Sequence, residues 1–227
     1  MAPEVKGLHG RSKDESEDDR SDGRSTRWDD HRDHRREQLV MAAISAIDEH
    51  GPATSVADIA AAAGVSKPVL YRYFTDKDDL YRSVGRWGAA EVLRALRPTL
   101  ASDRSIREKV EQGAEDYLAL IAEHPQVFLL LVEHRTADDP LVDGKEMLTA
   151  AFARSMGNAL RALGADTGAA EPWAHGVVGQ GLAIGEWWLR RRTMSQSVVA
   201  SHLASFIWHS FSGMATDYGV TLEPADA

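Results

Sequence analysis

Residues 54–81 read TSVADIAAAAGVSKPVLYRYFTDKDDLY, and the fold turns on them. Ser55 is a good N-cap, and Asp58 three residues later completes a capping-box pattern. Val56, Ile59, Ala60 and Ala63 follow at helical spacing, so a short helix has one apolar face. Gly64 ends it, because a turn this tight needs φ > 0, which glycine reaches without a Cβ clash. Val65 then points back into a small core and Ser66 can cap the next helix. Pro68 falls in that helix's first turn, where a missing N–H costs little. The alanines let two steeply crossing helices approach closely.

The second helix is expected from about Lys67 to Thr75, with two positive charges and no acid. Leu70 and Phe74, at i and i+4, face the core. Lys67, Pro68, Val69, Tyr71, Arg72 and Tyr73 are then turned outward. In the major groove of DNA, Lys and Arg bond guanine and apolar groups touch the thymine methyl. Tyrosine hydroxyls and Lys77 suit phosphates. Thr54, Ser55, Ser66 and, on the preceding helix, Arg35 and Arg36 complete the candidate DNA-contacting set. Thr75 with Asp78 repeats the capping pattern and is expected to start a third helix. The helix before the motif, from about Arg32 to His50, shows Leu39, Val40, Ala43, Ile44 and Ile47 at helical spacing and stops at Gly51-Pro52.

Thr54, Ile59, Ala60, Ala63, Gly64, Val65, Ser66, Leu70, Tyr71, Phe74, Lys77 and Leu80 match the DNA-binding signature of the TetR family of bacterial regulators. The resemblance covers about residues 33–82. It implies an all-α chain: a three-helix helix-turn-helix domain, then a helical ligand-binding and dimerisation domain, about nine helices in total. It also implies a double-stranded DNA operator, a small-molecule effector, and a homodimer through the last two helices. The expected division is a disordered charged tail over residues 1–30, a DNA-binding domain over 31–80, and the second domain over 81–220.

Composition agrees with that class. The 227 residues are 43% hydrophobic, enough to bury a sizeable core, and there is no cysteine for a disulfide or thiolate site. No stretch approaches the ~20 apolar residues of a membrane span, and the charged N-terminus lacks a signal-peptide core, so a cytoplasmic protein is expected. The net charge is −9, and residues 32–81 hold six Lys/Arg against eight acids. The expectation is therefore a narrow basic footprint on an acidic body, with weak non-specific binding. Within the tail, Arg24, Arg27, Arg32, Arg35 and Arg36 offer a second reading, an arm reaching phosphates or the minor groove.

Beyond residue 80 the periodicity predicts helices over 80–96 (stopping near Pro98), 105–123, 127–134, 141–163, 172–192 and 193–218, the last opened by a Thr193/Gln196 capping box. Its main stripe is Val199, Leu203, Phe206, Ile207, Met214 and Tyr218. Trp208 falls opposite, beside Ser201, Ala204, Ser205 and Ser212. That face, with Trp188 from the helix before, is expected to meet a second copy across a two-fold axis. Gly176, Gly179, Gly181 and Gly185 cost about 1 kcal/mol each in a helix and ask for close approach, a bend or room for a ligand. The resemblance places an effector cavity among the middle helices. Candidates for its lining are Tyr117, Ile121, Phe128, Leu131, Met147, Phe152, Val177, Gln180, Gly181, Ile184 and Trp187. They are mostly apolar, so a hydrophobic effector is expected, with a fatty acid or acyl-CoA as one guess. Gly85 and Gly88 are read as possible bends in the helix joining cavity to DNA domain. No Walker loop, nucleophile elbow or di-metal motif is present, so no enzyme, cofactor or metal is expected. A helical ligand-binding or adaptor protein without DNA binding is the alternative, supported by the acidic net charge.

Overall fold

The computed structural model describes residues 18–133, 142–220 and 222, with side chains from residue 31 onward. Among these residues there are nine helices and no strand: α1 (Asp18–His50), α2 (Val56–Ala62), α3 (Lys67–Leu70), α4 (Lys77–Ala101), α5 (Ile106–Glu123), α6 (Pro125–Glu133), α7 (Val142–Ala162), α8 (Ala170–Arg191) and α9 (Gln196–Asp217). The all-α class is as expected. None of these helices is long and apolar enough to cross a membrane.

Two cores organise the chain. The first joins α1 to α4 with α6: Leu39, Ile44, Ile47, Ile59, Leu70, Phe74, Leu80, Tyr81 and Val84 pack with Val127, Leu130 and Leu131. Thus α6, which comes after the 25 residues of α4 and the 18 of α5, is built into the floor of this N-terminal core. The second core joins α5, α8 and α9 through Leu118, Ile121, Trp188, Leu189, Val199 and Leu203.

Several helix ends differ from the sequence reading. The first helix begins at Asp18, inside the stretch expected as tail, while residues 1–17 lie outside the described ones. The α3 helix is a single turn closed at Tyr71, and residues 71–73 continue as turns. The cap of α4 is Asp76, whose carboxylate accepts from Asp79 N–H at 2.7 Å, one position later than the expected Thr75/Asp78 pair. Asp79 in turn accepts from Thr75 N–H at 3.0 Å. Pro98 lies within α4 instead of ending it. Ser195, not Thr193, caps α9 by accepting from Val198 N–H. For α4 and α9 a short polar side chain one or two residues along offered the better acceptor.

Glycine does its work at close crossings. A Cβ on Gly144 of α7 would lie 2.9 Å from the Gly85 carbonyl oxygen of α4. Gly85 is therefore a contact point between backbones, where the sequence suggested a bend.

Candidate functional site

The helix-turn-helix is built as its residues dictate. Ser55 and Asp58 form the reciprocal capping box of α2. The Ser55 hydroxyl and backbone N–H both donate to Asp58, which holds that carboxyl below its usual range. At the other end Gly64 sits at φ +65°, Val65 N–H donates to Ala60 C=O at 2.9 Å and Gly64 N–H to Ala61 C=O at 3.0 Å. This is the Schellman closure that an αL residue permits. It swings the chain into α3 and leaves Leu70 and Phe74 buried beneath it.

Above them lies an exposed surface of Ser55, Ser66, Lys67, Pro68, Tyr71, Arg72 and Lys77, with Val69 half-buried among them. Tyr71 is 45% exposed, an aromatic in water with no core to serve. Three other candidates have structural duties. Thr54 is buried and its hydroxyl donates to Gly51 C=O at 2.6 Å, locking the entry to α2. Arg36 donates to Asp79 Oδ1 at 2.7 Å and to Ser83 Oγ at 2.9 Å, with its guanidinium over the Phe74 ring. It clamps α1 to α4. Tyr73 packs against the domain core. Arg35 is half-buried and donates to Gln38 on its own helix. Lys77 lies with Nζ 5.0 Å from the Tyr81 ring centroid.

The second domain holds two cavities. The larger, about 330 Å³, lies between α4, α5, α7, α8 and α9, and the lining includes Leu96, Val110, Tyr117, Phe152, Val177, Gly181, Leu203 and Phe211. Among the described residues its only charged lining side chain is Lys109. The smaller, about 80 Å³, lies closer to the DNA domain, between Trp87, Gly88, Ile121, His124, Val127, Phe128, Leu131 and Gly144. Val92, Tyr117, Leu148 and Leu182 belong to both walls. Tyr117 donates its hydroxyl to Gly181 C=O at 2.9 Å, and burial raises its phenol pKa.

Tyr117, Phe152, Val177 and Gly181 of the expected lining face the larger cavity, and Ile121, Phe128 and Leu131 the smaller. Met147, Gln180, Ile184 and Trp187 face neither. Ile184 is packed into the second core, and Trp187 is 42% exposed. Sequence reasoning missed Lys109, Leu148, Trp173, Leu182 and Phe211. Extending the Phe152 stripe by i−4, i+3, i+4 and i+7 would have recovered Leu148, Ser155, Met156 and Ala159.

The expected dimer face is also redrawn. Trp188 is 2% exposed, donates Nε1–H to Met194 C=O at 3.1 Å and carries the Arg192 guanidinium over its ring. It is core, because the α8 face it occupies closes on α5 and α9. Ala204 is buried against α5, and Trp208 is partly covered with Arg107 over it. Ser201 and Ser205 are exposed and Ser212 partly so. The side of α8 and α9 turned to solvent carries Gly176, Gly179, Ala183 and Trp187, then Val198, Ser201, Ser205 and Phe206, the last 61% exposed.

Family models match both halves of the chain. "Bacterial regulatory proteins, tetR family" matches residues 39–84, and "Tetracyclin repressor-like, C-terminal domain" matches 95–221. An uncharacterized HTH-type transcriptional regulator of Mycobacterium tuberculosis is 31% identical over 207 residues, spanning 90% of this chain and 88% of its own. The HTH-type transcriptional activator FasR of Mycolicibacterium smegmatis is 27% identical over 185 residues, 80% and 84% of the two chains. Among solved structures, the regulator FadR of Bacillus subtilis in complex with stearoyl-CoA superposes with a TM-score of 0.60 at 15% identity, covering 75% of this chain and 96% of that one.

Proposed function

The chain belongs to the TetR family of bacterial transcriptional regulators, and from that membership we propose that it is a homodimeric repressor that leaves its operator when an aliphatic molecule with an acidic end enters the larger cavity. The observation that carries the effector class is the wall of that cavity. Its polar side-chain groups are those of Thr99, Lys109, Tyr117, Ser155 and Trp173, and the Thr99 and Tyr117 hydroxyls are already given to Asp116 at 2.7 Å and Gly181 C=O at 2.9 Å. Alkyl burial is worth ~0.8 kcal/mol per methylene, so a cavity of this kind rewards a long hydrocarbon. The Lys109 ammonium has no hydrogen-bond or ion-pair partner among the described residues and supplies a cation for a carboxylate, or for a phosphate of a CoA thioester, at one end. The fold shared with FadR in complex with stearoyl-CoA supports the same class.

On this reading Lys67, Pro68, Val69, Tyr71 and Arg72 enter the major groove, with Ser55, Ser66 and Lys77 on the flanking phosphates. The exposed face of α8 and α9 pairs with its copy, setting two readers about 34–36 Å apart or somewhat more. An effector that prefers another spacing shifts the dimer from the DNA-competent state. The test is fluorescence anisotropy on DNA from upstream of the protein's own gene, with palmitate, stearate and their CoA thioesters added. Release at concentrations that also protect the protein against thermal unfolding is expected. Tight DNA binding that none of these molecules alters would sink the effector class.

A further inference from the structure

The two cavities are coaxial in sequence along the same helices. Moving from the larger to the smaller runs down α4 from Leu100 to Gly85, up α5 from Ile106 to His124, and down α7 from Leu163 to Gly144. Tyr117 stands where they meet. Its hydroxyl is tied to Gly181 C=O, and a Cβ on Gly185 would lie only 2.9 Å from that hydroxyl. Two glycines of α8 thus make the seat for one tyrosine. Val92, Leu148 and Leu182 line the same boundary, and of these four Tyr117 is the one whose side chain is fixed by a hydrogen bond.

The inner compartment has a different floor from the outer one. Val127 and Leu131 line it and at the same time belong to the core of the DNA domain. His124, also in its wall, binds Asp48 of α1 at 2.6 Å, and Trp87 packs edge-on against His124. Nothing that fills only the outer compartment touches these groups. A hydrocarbon that reaches the inner one presses directly on the residues that hold α1.

We propose that Tyr117 divides one long effector channel into an outer compartment that binds and an inner compartment that signals, so that chain length decides whether a ligand merely binds or also releases DNA. This rests on the aliphatic effector reading above. Short acids anchor at Lys109 and stop at the tyrosine. Longer ones displace it and fill the space beside Leu131 and His124.

The experiment compares decanoate with stearate on the full-length protein, measuring binding by calorimetry and DNA release by anisotropy. Wild type is expected to bind both and to release DNA with stearate alone. Tyr117→Ala removes the partition. The stearate concentration needed for release falls by about five- to tenfold, the equivalent of one net hydrogen bond. Gly88→Leu fills the inner compartment from α4, where a Cβ meets only Leu131 Cδ1 at 3.9 Å. It keeps decanoate binding and loses stearate-driven release, and it serves independently if Tyr117→Ala fails to fold. Equal release by both acids in wild type, or stearate release intact in Gly88→Leu, overturns the partition while leaving the effector class standing. Binding of neither acid to wild type or variants overturns both.

Discussion

His124 Nδ1 lies 2.6 Å from Asp48 Oδ2, at the point where the last turn of α5 meets α1. Both side chains are about three-quarters covered, and the other Asp48 oxygen is buried without a hydrogen-bond partner among the described residues. The pair is the polar rivet between the DNA domain and the cavity-bearing domain. Asp48→Ala is expected to cost about 1–3 kcal/mol, the penalty of orphaning a partly buried polar group. At ~2–4 °C per kcal/mol for a chain of this size, differential scanning fluorimetry resolves it. A melting temperature equal to wild type would show that the contact is idle.

Exposed and clamping residues of the DNA domain should separate cleanly. Lys67→Ala with Tyr71→Ala removes groups that the core does not use, so operator binding should weaken by about 1–3 kcal/mol for each lost base contact at an unchanged melting temperature. Arg36→Ala should lower the melting temperature first, because it releases Asp79 and uncovers Phe74. If Arg36→Ala left stability intact and affected only DNA affinity, the residue would belong to the DNA face after all.

Trp187 and Trp188 offer a paired test. Trp188→Ala empties a fully packed core site and should cost about 3–5 kcal/mol. Trp187→Ala, or Phe206→Glu on the neighbouring helix, should leave secondary structure in place and shift the protein from dimer to monomer in sedimentation velocity. A dimer that survives both surface changes lies on another face.

Alkaline pH should strain the DNA domain. Burial pushes the Tyr81 phenol up to about 12, with Asp78 adding a smaller push. A folded pKa above the unfolded one means that the neutral phenol stabilises the fold below about pH 10. That contribution disappears as pH rises from there towards 12. Ultraviolet titration should show Tyr81 ionising only with unfolding. At the acid end the sign reverses. The Asp58 and Glu108 carboxyls sit below their usual values because Ser55 and Ser105 donate to them. Their help is complete above about pH 4–5 and fades as they are protonated.

What the sequence displayed and what it concealed follow one physical line. The Ser55/Asp58 box, the Gly64 turn and the buried Leu70 and Phe74 are local, set by chemistry within four residues, and all were readable. Helix existence was likewise readable from period, though end positions moved where Asp76 and Ser195 outcompeted their neighbours as caps. Choosing between adjacent tryptophans was not local. Period alone separates Trp187 from Trp188 by ~100° without saying which side α5 and α9 will occupy. Arg36 and Thr54 matched the DNA-contact pattern because such residues are polar and near the motif. Only the partners from α4 and from the end of α1 reveal that they are already engaged.

The crossing of Gly85 and Gly144 has a consequence for how such a regulator diversifies. Helix α4 touches α7 there through the Gly85 backbone with only the Ala89 methyl alongside, so the joint is made by three small residues. Residues such as Phe152 or Met156 are free to change, and with them the chemistry that the cavity accepts, while the joint keeps its shape. On the effector reading proposed above, recognition can drift through many substitutions at the cavity wall, whereas one added methyl at Gly144 would force α4 and α7 apart.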